Sequence, residues 1–125
     1  MQSSPWSAPR LIPSTKLLGE RVIPEEKVTE YLLNVDHPDG GGKAKFFKEH
    51  GFEVDEPNVL SSALDAHAVQ NDVGEIVRSA HGTKSVVRCS LQTPDRRNPC
   101  ILVVWIREEG CLSQRLVTAY PAFVS

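Results

Sequence analysis

The run His37-Pro38-Asp39-Gly40-Gly41-Gly42-Lys43-Ala44-Lys45-Phe46-Phe47 concentrates residues that can do chemistry. A histidine moves protons near neutral pH, because its unperturbed pKa lies near ~6.5. Consecutive glycines let the backbone turn sharply and come close to a bulky group. The lysines and phenylalanines then follow at helical spacing, so the turn is expected to open a helix. A helix N-terminus offers unpaired N–H groups and the positive end of a dipole. Gly41, Gly42, Lys43 and Lys45 are therefore candidates for holding a phosphate. The glycines equally suit a tight connection between two helices. His37 has two readings as well: a general acid or base, or a residue capping backbone groups in an Asp-His-Pro turn. Lys43 sits in the first turn, where the dipole opposes it, and a residue placed against local preference points to function. Lys43 and Lys45 project about 200° apart, so one can meet a ligand while the other is a surface charge.

Two further groups carry polar chemistry. His81-Gly82-Thr83-Lys84 reads as a hairpin turn, with Lys84 a candidate phosphate contact. In the last apolar run, strict alternation places Leu116, Thr118 and Tyr120 on one face, with Arg115 and Val117 on the other. A Thr–Tyr pair is good sheet chemistry in itself, and it can also hydrogen-bond a phosphate or steady a histidine. Nucleotide triphosphate binding of the P-loop kind is excluded by the spacing. No glycine stands five residues before Gly42, and Ala44 follows the lysine. The four histidines are spread without the i, i+4 pairing of helical zinc sites, so no metal is expected.

The elements that must position these residues fall in two blocks. Three helices come first: Pro24 to Leu33, about Gly42 to Glu49, and Asp55 or Glu56 to about Asn71. Val28, Tyr31 and Leu32 make the apolar stripe of the first. Leu60, Ala63, Leu64, His67 and Ala68 line the third, and His67 is read as a core histidine. Strands follow at Val73–Ser79, Lys84–Leu91, Cys100–Ile106 and Gln114–Tyr120, joined by short loops. The expectation is an α+β domain, three N-terminal helices packed on a four-stranded antiparallel sheet, over residues 21–125. Residues 1–20, with Trp6, Leu11, Ile12, Leu17 and Leu18 among serines and prolines, are expected to be a poorly ordered or extended arm. Cys100 to Ile106 is apolar on both faces, and Leu102, Val104 and Ile106 are expected to face the helices.

The chain of 125 residues is 40% hydrophobic and 24% charged, which suits one globular domain. A net charge of −2 gives no global support for nucleic-acid binding, so any basic site must be local. The three cysteines, each separated from the next by ten residues, match no zinc or redox motif. They read as partly buried, reduced thiols of a cytoplasmic protein. No apolar run reaches the ~18 residues of a membrane span.

Taken in order, the His37–Phe47 run, Gly51-Phe52, His81-Gly-Thr-Lys, Val103-Val-Trp-Ile and Arg115-Leu-Val-Thr-Ala-Tyr-Pro resemble a family of small bacterial domains of unknown function. The resemblance spans roughly residues 21 to 121. Related domains stand at the C-terminal ends of bacterial polymorphic toxins. Their layout is similar to the barnase/EndoU/colicin/RelE class of metal-independent ribonucleases. The resemblance implies RNA as substrate, an immunity or antitoxin protein as partner, and no cofactor or membrane. On this reading His37 moves the proton, Lys43 stabilises charge, and Thr118 or Tyr120 orients. Gly41, Gly42, Lys45 and Lys84 then hold the phosphate. The alternative is a non-catalytic module that binds a protein or an anion through the glycine-lysine turn or the sheet face, and the acidic net charge favours it.

Overall fold

The computed structural model describes residues 16–38 and 41–122. Trp6, Leu11, Ile12, Asp39 and Gly40 lie outside the described residues. The helices precede the four long strands, as the change of period predicts, and a two-residue strand stands before them. The first helix, however, is not one regular element. Pro24 caps a short α1 (Glu25–Lys27), whose first turn carries Glu25 and Glu26. The chain then widens into a π-helical turn, Val28–Leu32, closed by the Leu33 N–H donating to the Val28 carbonyl at 2.8 Å. The wide turn lets Val28, Leu32 and Leu33 all reach the core while Tyr31 stays at its edge. Helices α2 (Gly41–Glu49) and α3 (Pro57–Gln70) match their expected spans within two residues.

The sheet has five strands, not four: β1 (Arg21–Val22), β2 (Val73–Ser79), β3 (Gly82–Ser90), β4 (Cys100–Arg107) and β5 (Gln114–Pro121). Their order is β1-β5-β4-β3-β2. β1 runs parallel to β5, and the other neighbours are antiparallel. A two-residue strand beside Pro24 is too short to show a period of two, so the sequence pattern misses it.

The core lies between the helices and one face of the sheet. Ile101, Val103 and Trp105 supply it from β4, with Val87, Leu116 and Ala119 beside them. This reverses the expected orientation, in which Leu102, Val104 and Ile106 met the helices. A strand apolar on both faces has no alternation to orient it, and Leu102 and Ile106 are also shielded, on the opposite face. Two of the thiols also depart from expectation: Cys89 and Cys111 are exposed, and Cys100 is half-buried.

α2 is held at both ends. Beyond its C-terminus, Gly51 adopts φ +101°, where a side chain would be strained and would collide with Pro94. The β3–β4 loop clamps this end. The Asp95 N–H donates to His50 O at 3.2 Å, and the Arg97 guanidinium donates to the Glu49 carbonyl at 3.1 Å and pairs with Asp95 at 2.6 Å. Arg97 thus ties the loop to the end of α2 although its side chain stays 62% exposed.

Candidate functional site

At the other end of α2 the glycines make a connection. The Gly41 N–H donates to the His37 carbonyl at 3.0 Å, and His37 N–H donates to Asn34 O at 3.1 Å. A Cβ on Gly41 would lie 2.6 Å from the Val35 carbonyl oxygen, whereas one on Gly42 would meet nothing within 4 Å. Gly41 is therefore required for close approach of two backbones. Its amide is engaged within the turn and does not point at an anion.

This turn delivers Lys43 to the sheet. Its ammonium donates to the Tyr31 hydroxyl at 2.5 Å and to Thr118 Oγ1 at 3.3 Å, and the two hydroxyls share a hydrogen bond of 3.1 Å. The ammonium also lies 4.9 Å from the Tyr31 ring centre and 5.6 Å from that of Tyr120. The His37 ring stands edge-on to the Tyr31 ring, with centroids 5.0 Å apart. Lys27 places a second ammonium 5.1 Å from the Tyr31 ring.

Two local irregularities create this meeting. Tyr31 comes from the π turn. Thr118 follows a β-bulge: Trp105 pairs with Leu116 and Val104 with Thr118, so Val117 has no partner. The bulge reverses the alternation along β5. Leu116 turns to the core, while Thr118 and Tyr120 turn to the other face, so the predicted Leu116–Thr118–Tyr120 face is broken. α2 packs near β5, whose partner β1 pairs only with Gln114 and Arg115. Lys43 and Tyr31 therefore reach Thr118 at a stretch of the β5 edge that β1 leaves uncovered.

Electrostatics at Tyr31 are unusual for a phenol. Burial pushes its pKa up, but the hydrogen bonds with Lys43 and Thr118 and the charges of Lys43 and Lys27 outweigh this and hold it below the ordinary 10.0. Beside this group opens a cleft of about 570 Å³, lined by Lys43, Arg88, Leu102, Tyr120, Pro121 and Ala122. Arg88 is its second cation. Lys45 is exposed and does not line the cleft. Lys84 lies opposite Ile106, four residues along β3 from Arg88, or about 13 Å at ~3.3 Å per residue.

The structure thus brings His37, Lys43 and Thr118 against Tyr31, with the Tyr120 ring beside the Lys43 ammonium. Of the predicted residues only Lys43 and Tyr120 line the cleft; His37 and Thr118 stand behind it, and Lys45 and Lys84 are not part of it. Sequence reasoning missed Tyr31, which it counted as one of an apolar stripe, and Arg88, which no local pattern distinguishes from a surface charge. His67 is a core histidine: its Nε2 donates to the Cys89 carbonyl at 2.9 Å. His50 is likewise buried, with Nδ1 at 2.9 Å from the Phe46 carbonyl. Among the described residues no group of His, Cys, Asp or Glu could hold a metal ion, and no helix is long and apolar enough to cross a membrane. A larger cavity of about 740 Å³ lies elsewhere, between Leu17–Gly19, β2 and Leu112. It lacks the lysine–phenol–hydroxyl cluster, so the smaller cleft is the better candidate for chemistry.

Fold and site together define a small helices-then-sheet domain with a cationic, hydroxyl-rich cluster at a sheet edge. The chain belongs to the domain of unknown function DUF6883, which matches residues 16–123. No curated protein matches it. Among solved structures, its fold is similar to a chain of a contact-dependent growth inhibition toxin–immunity protein complex from Klebsiella pneumoniae 342. That likeness has a TM-score of 0.64 at 13% identity, and covers 81% of this chain and 99% of the other.

Proposed function

We propose that this domain is a metal-independent ribonuclease, related to bacterial toxin nucleases and paired with an immunity protein. The observation that carries the reading is the Lys43 ammonium hydrogen-bonded to both Tyr31 and Thr118 beside a cleft with a second cation. RNA cleavage of this class needs a base for the 2′-hydroxyl proton, an acid for the 5′-oxygen, and positive charge at the phosphorane. As the 2′-oxygen bonds to phosphorus, its proton passes to the phenolate form of Tyr31, whose pKa, raised by burial, is lowered on balance by Lys43, Thr118 and Lys27. The P–O5′ bond then breaks, and the 5′-oxygen takes a proton from the His37 imidazolium; the proton that Tyr31 received then returns His37 to that form through solvent, which restores both groups. The products are a 2′,3′-cyclic phosphate and a 5′-hydroxyl end. Lys43 stabilises the phosphorane and Thr118 holds the Tyr31 hydroxyl in place. The likeness to a chain of a toxin–immunity complex supports a place in such a system, as toxin or immunity protein, and a protein partner.

The test is incubation of purified protein with total RNA in excess EDTA, with Tyr31→Phe alongside. Cleavage by wild type, reduced ~10²–10⁴-fold in the variant, is expected. Intact RNA with folded wild type across pH 5–9 would refute it. A second reading, a non-catalytic module that binds a protein, is favoured by the net charge of −2 and by the cavity of about 740 Å³. Leu18, Ile76 and Leu112, which line it, are 69%, 64% and 84% exposed. Intact RNA would leave that reading standing.

A further inference from the structure

The cleft itself has a chemical character that the proton-transfer cluster does not explain. Arg88, Leu102 and Tyr120 lie at the same register on three neighbouring strands. Neighbouring strands are about 4.8 Å apart, so the arginine and the tyrosine stand roughly 10 Å apart across the leucine. Pro121 and Ala122 extend the apolar floor, and Lys43 closes the tyrosine end. Tyr120 is 36% exposed, a large ring left partly open beside this floor. The lining is therefore one aromatic ring, three small or aliphatic apolar residues and two cations, with no carboxylate. A flat, apolar-faced ligand flanked by negative charge matches it. An unpaired nucleotide has that form, whereas a base inside a duplex cannot offer its face.

We infer that this cleft seats one unpaired nucleotide of a single-stranded RNA. Its base lies flat against Tyr120 over Leu102, and its flanking phosphates meet Lys43 and Arg88. The inference rests on the ribonuclease reading and supplies that reading's substrate class: single-stranded rather than duplex RNA. Tyr120 is then a binding residue, recognising the base by its face and not by its edge, so preference among bases is weak.

Binding is measured without cleavage, using a fluorescein-labelled ten-nucleotide RNA carrying 2′-methoxy groups throughout. Fluorescence anisotropy follows its titration with wild type, Tyr120→Ala, Tyr120→Phe and Arg88→Ala. The expected result is single-strand binding that Tyr120→Phe retains and Tyr120→Ala weakens at least ~5-fold, the scale of a lost base–aromatic stack. Arg88→Ala, a change at an exposed residue, weakens binding and flattens its salt dependence. The matching duplex binds more weakly than the single strand. The inference is overturned if wild type does not bind the oligonucleotide. It is equally overturned if Tyr120→Ala binds as wild type does, or if duplex binds as well as single strand. Tyr120-dependent binding without cleavage of ordinary RNA defeats the ribonuclease reading and keeps the nucleotide cleft. Cleavage with binding indifferent to Tyr120 does the reverse.

Discussion

Lys43→Met isolates the charge at the centre of the site, since it keeps an unbranched stem and removes the ammonium. In the folded protein that ammonium lies 2.5 Å from the Tyr31 oxygen and 3.3 Å from Thr118 Oγ1. A phosphorane oxygen replacing either contact would lie at about 4 Å or less. At that distance a unit-charge pair is worth ~4 kcal/mol at an effective dielectric near ~20. At ~1.36 kcal/mol per tenfold, that amounts to about 10³-fold in rate. Lys43 is only half-buried, so solvent screening reduces it, and a loss of ~10²–10³-fold is expected. The assay is single-turnover cleavage of a short labelled RNA in EDTA, read on a denaturing gel, with circular dichroism to establish folding. A second readout needs no substrate. The chain has two tyrosines, so absorbance at the phenolate band in a Tyr120→Phe background reports Tyr31 alone. Tyr31 should titrate below its ordinary range in wild type and move up in Lys43→Met, because its hydrogen bond to Lys43 and the charge of Lys43 are lost. A folded variant that cleaves within about threefold of wild type, with unchanged phenol titration, would refute the reasoning.

Other outcomes follow from the packing. Leu116→Ala, at a core position with 1% exposure, should cost ~2–5 kcal/mol in urea unfolding, while Ile76→Ala, 64% exposed, should change stability by less than ~0.5 kcal/mol. Equal effects would mean the face assignment of the sheet is wrong. Burial holds the His67 pKa below its ordinary 6.5, despite the hydrogen bond to the Cys89 carbonyl. The unfolded chain therefore takes up this proton first, so the contribution is intact above about 6.5 and is lost as pH falls through the lower folded value. Stability should decline below that pH with a slope of at most ~1.36 kcal/mol per pH unit from this group, and His67→Gln should flatten it. A slope unchanged in the variant would exclude His67 as its origin. Gly41→Ala should lower the thermal midpoint, because its Cβ meets the Val35 carbonyl, whereas Gly42→Ala, with open space around it, should be neutral or stabilising by up to ~1 kcal/mol.

The separation of helices from strands was legible because the period of the apolar residues changes near Asn71. All four expected strands, and α2 and α3, have boundaries within two residues of their predicted ends. What could not be read were features without a period. β1 has two residues, β4 is apolar on both faces, and the bulge at Val117 reverses an alternation that is regular in the sequence. The same kind of gap hid part of the site. Lys43 stood out because its place in the first turn of a helix runs against local electrostatics. Tyr31 did not, since a tyrosine at an apolar position of an amphipathic helix looks like packing, and only the π turn sets it at the core's edge.

The two irregularities have a common consequence. A regular helix and a regular strand would each follow the core's periodicity through this region, and every side chain would be assigned to the core or to solvent. A π turn and a bulge both break the ladder of backbone hydrogen bonds locally, which is a cost to folding. Here the cost falls where the side chains of Tyr31 and Thr118 meet, and Lys43 is brought to them by a glycine connection that excludes a Cβ at Gly41. Three departures from regular geometry on three separate elements thus converge on one hydrogen-bonded cluster. Packing accounts for the π turn and for Gly41 individually, but not for their meeting with the bulge at one point. A lysine, a phenol and a hydroxyl held together at an uncovered sheet edge are what the proposed ribonuclease site requires, and the Lys43→Met and Tyr31→Phe variants test whether they serve it.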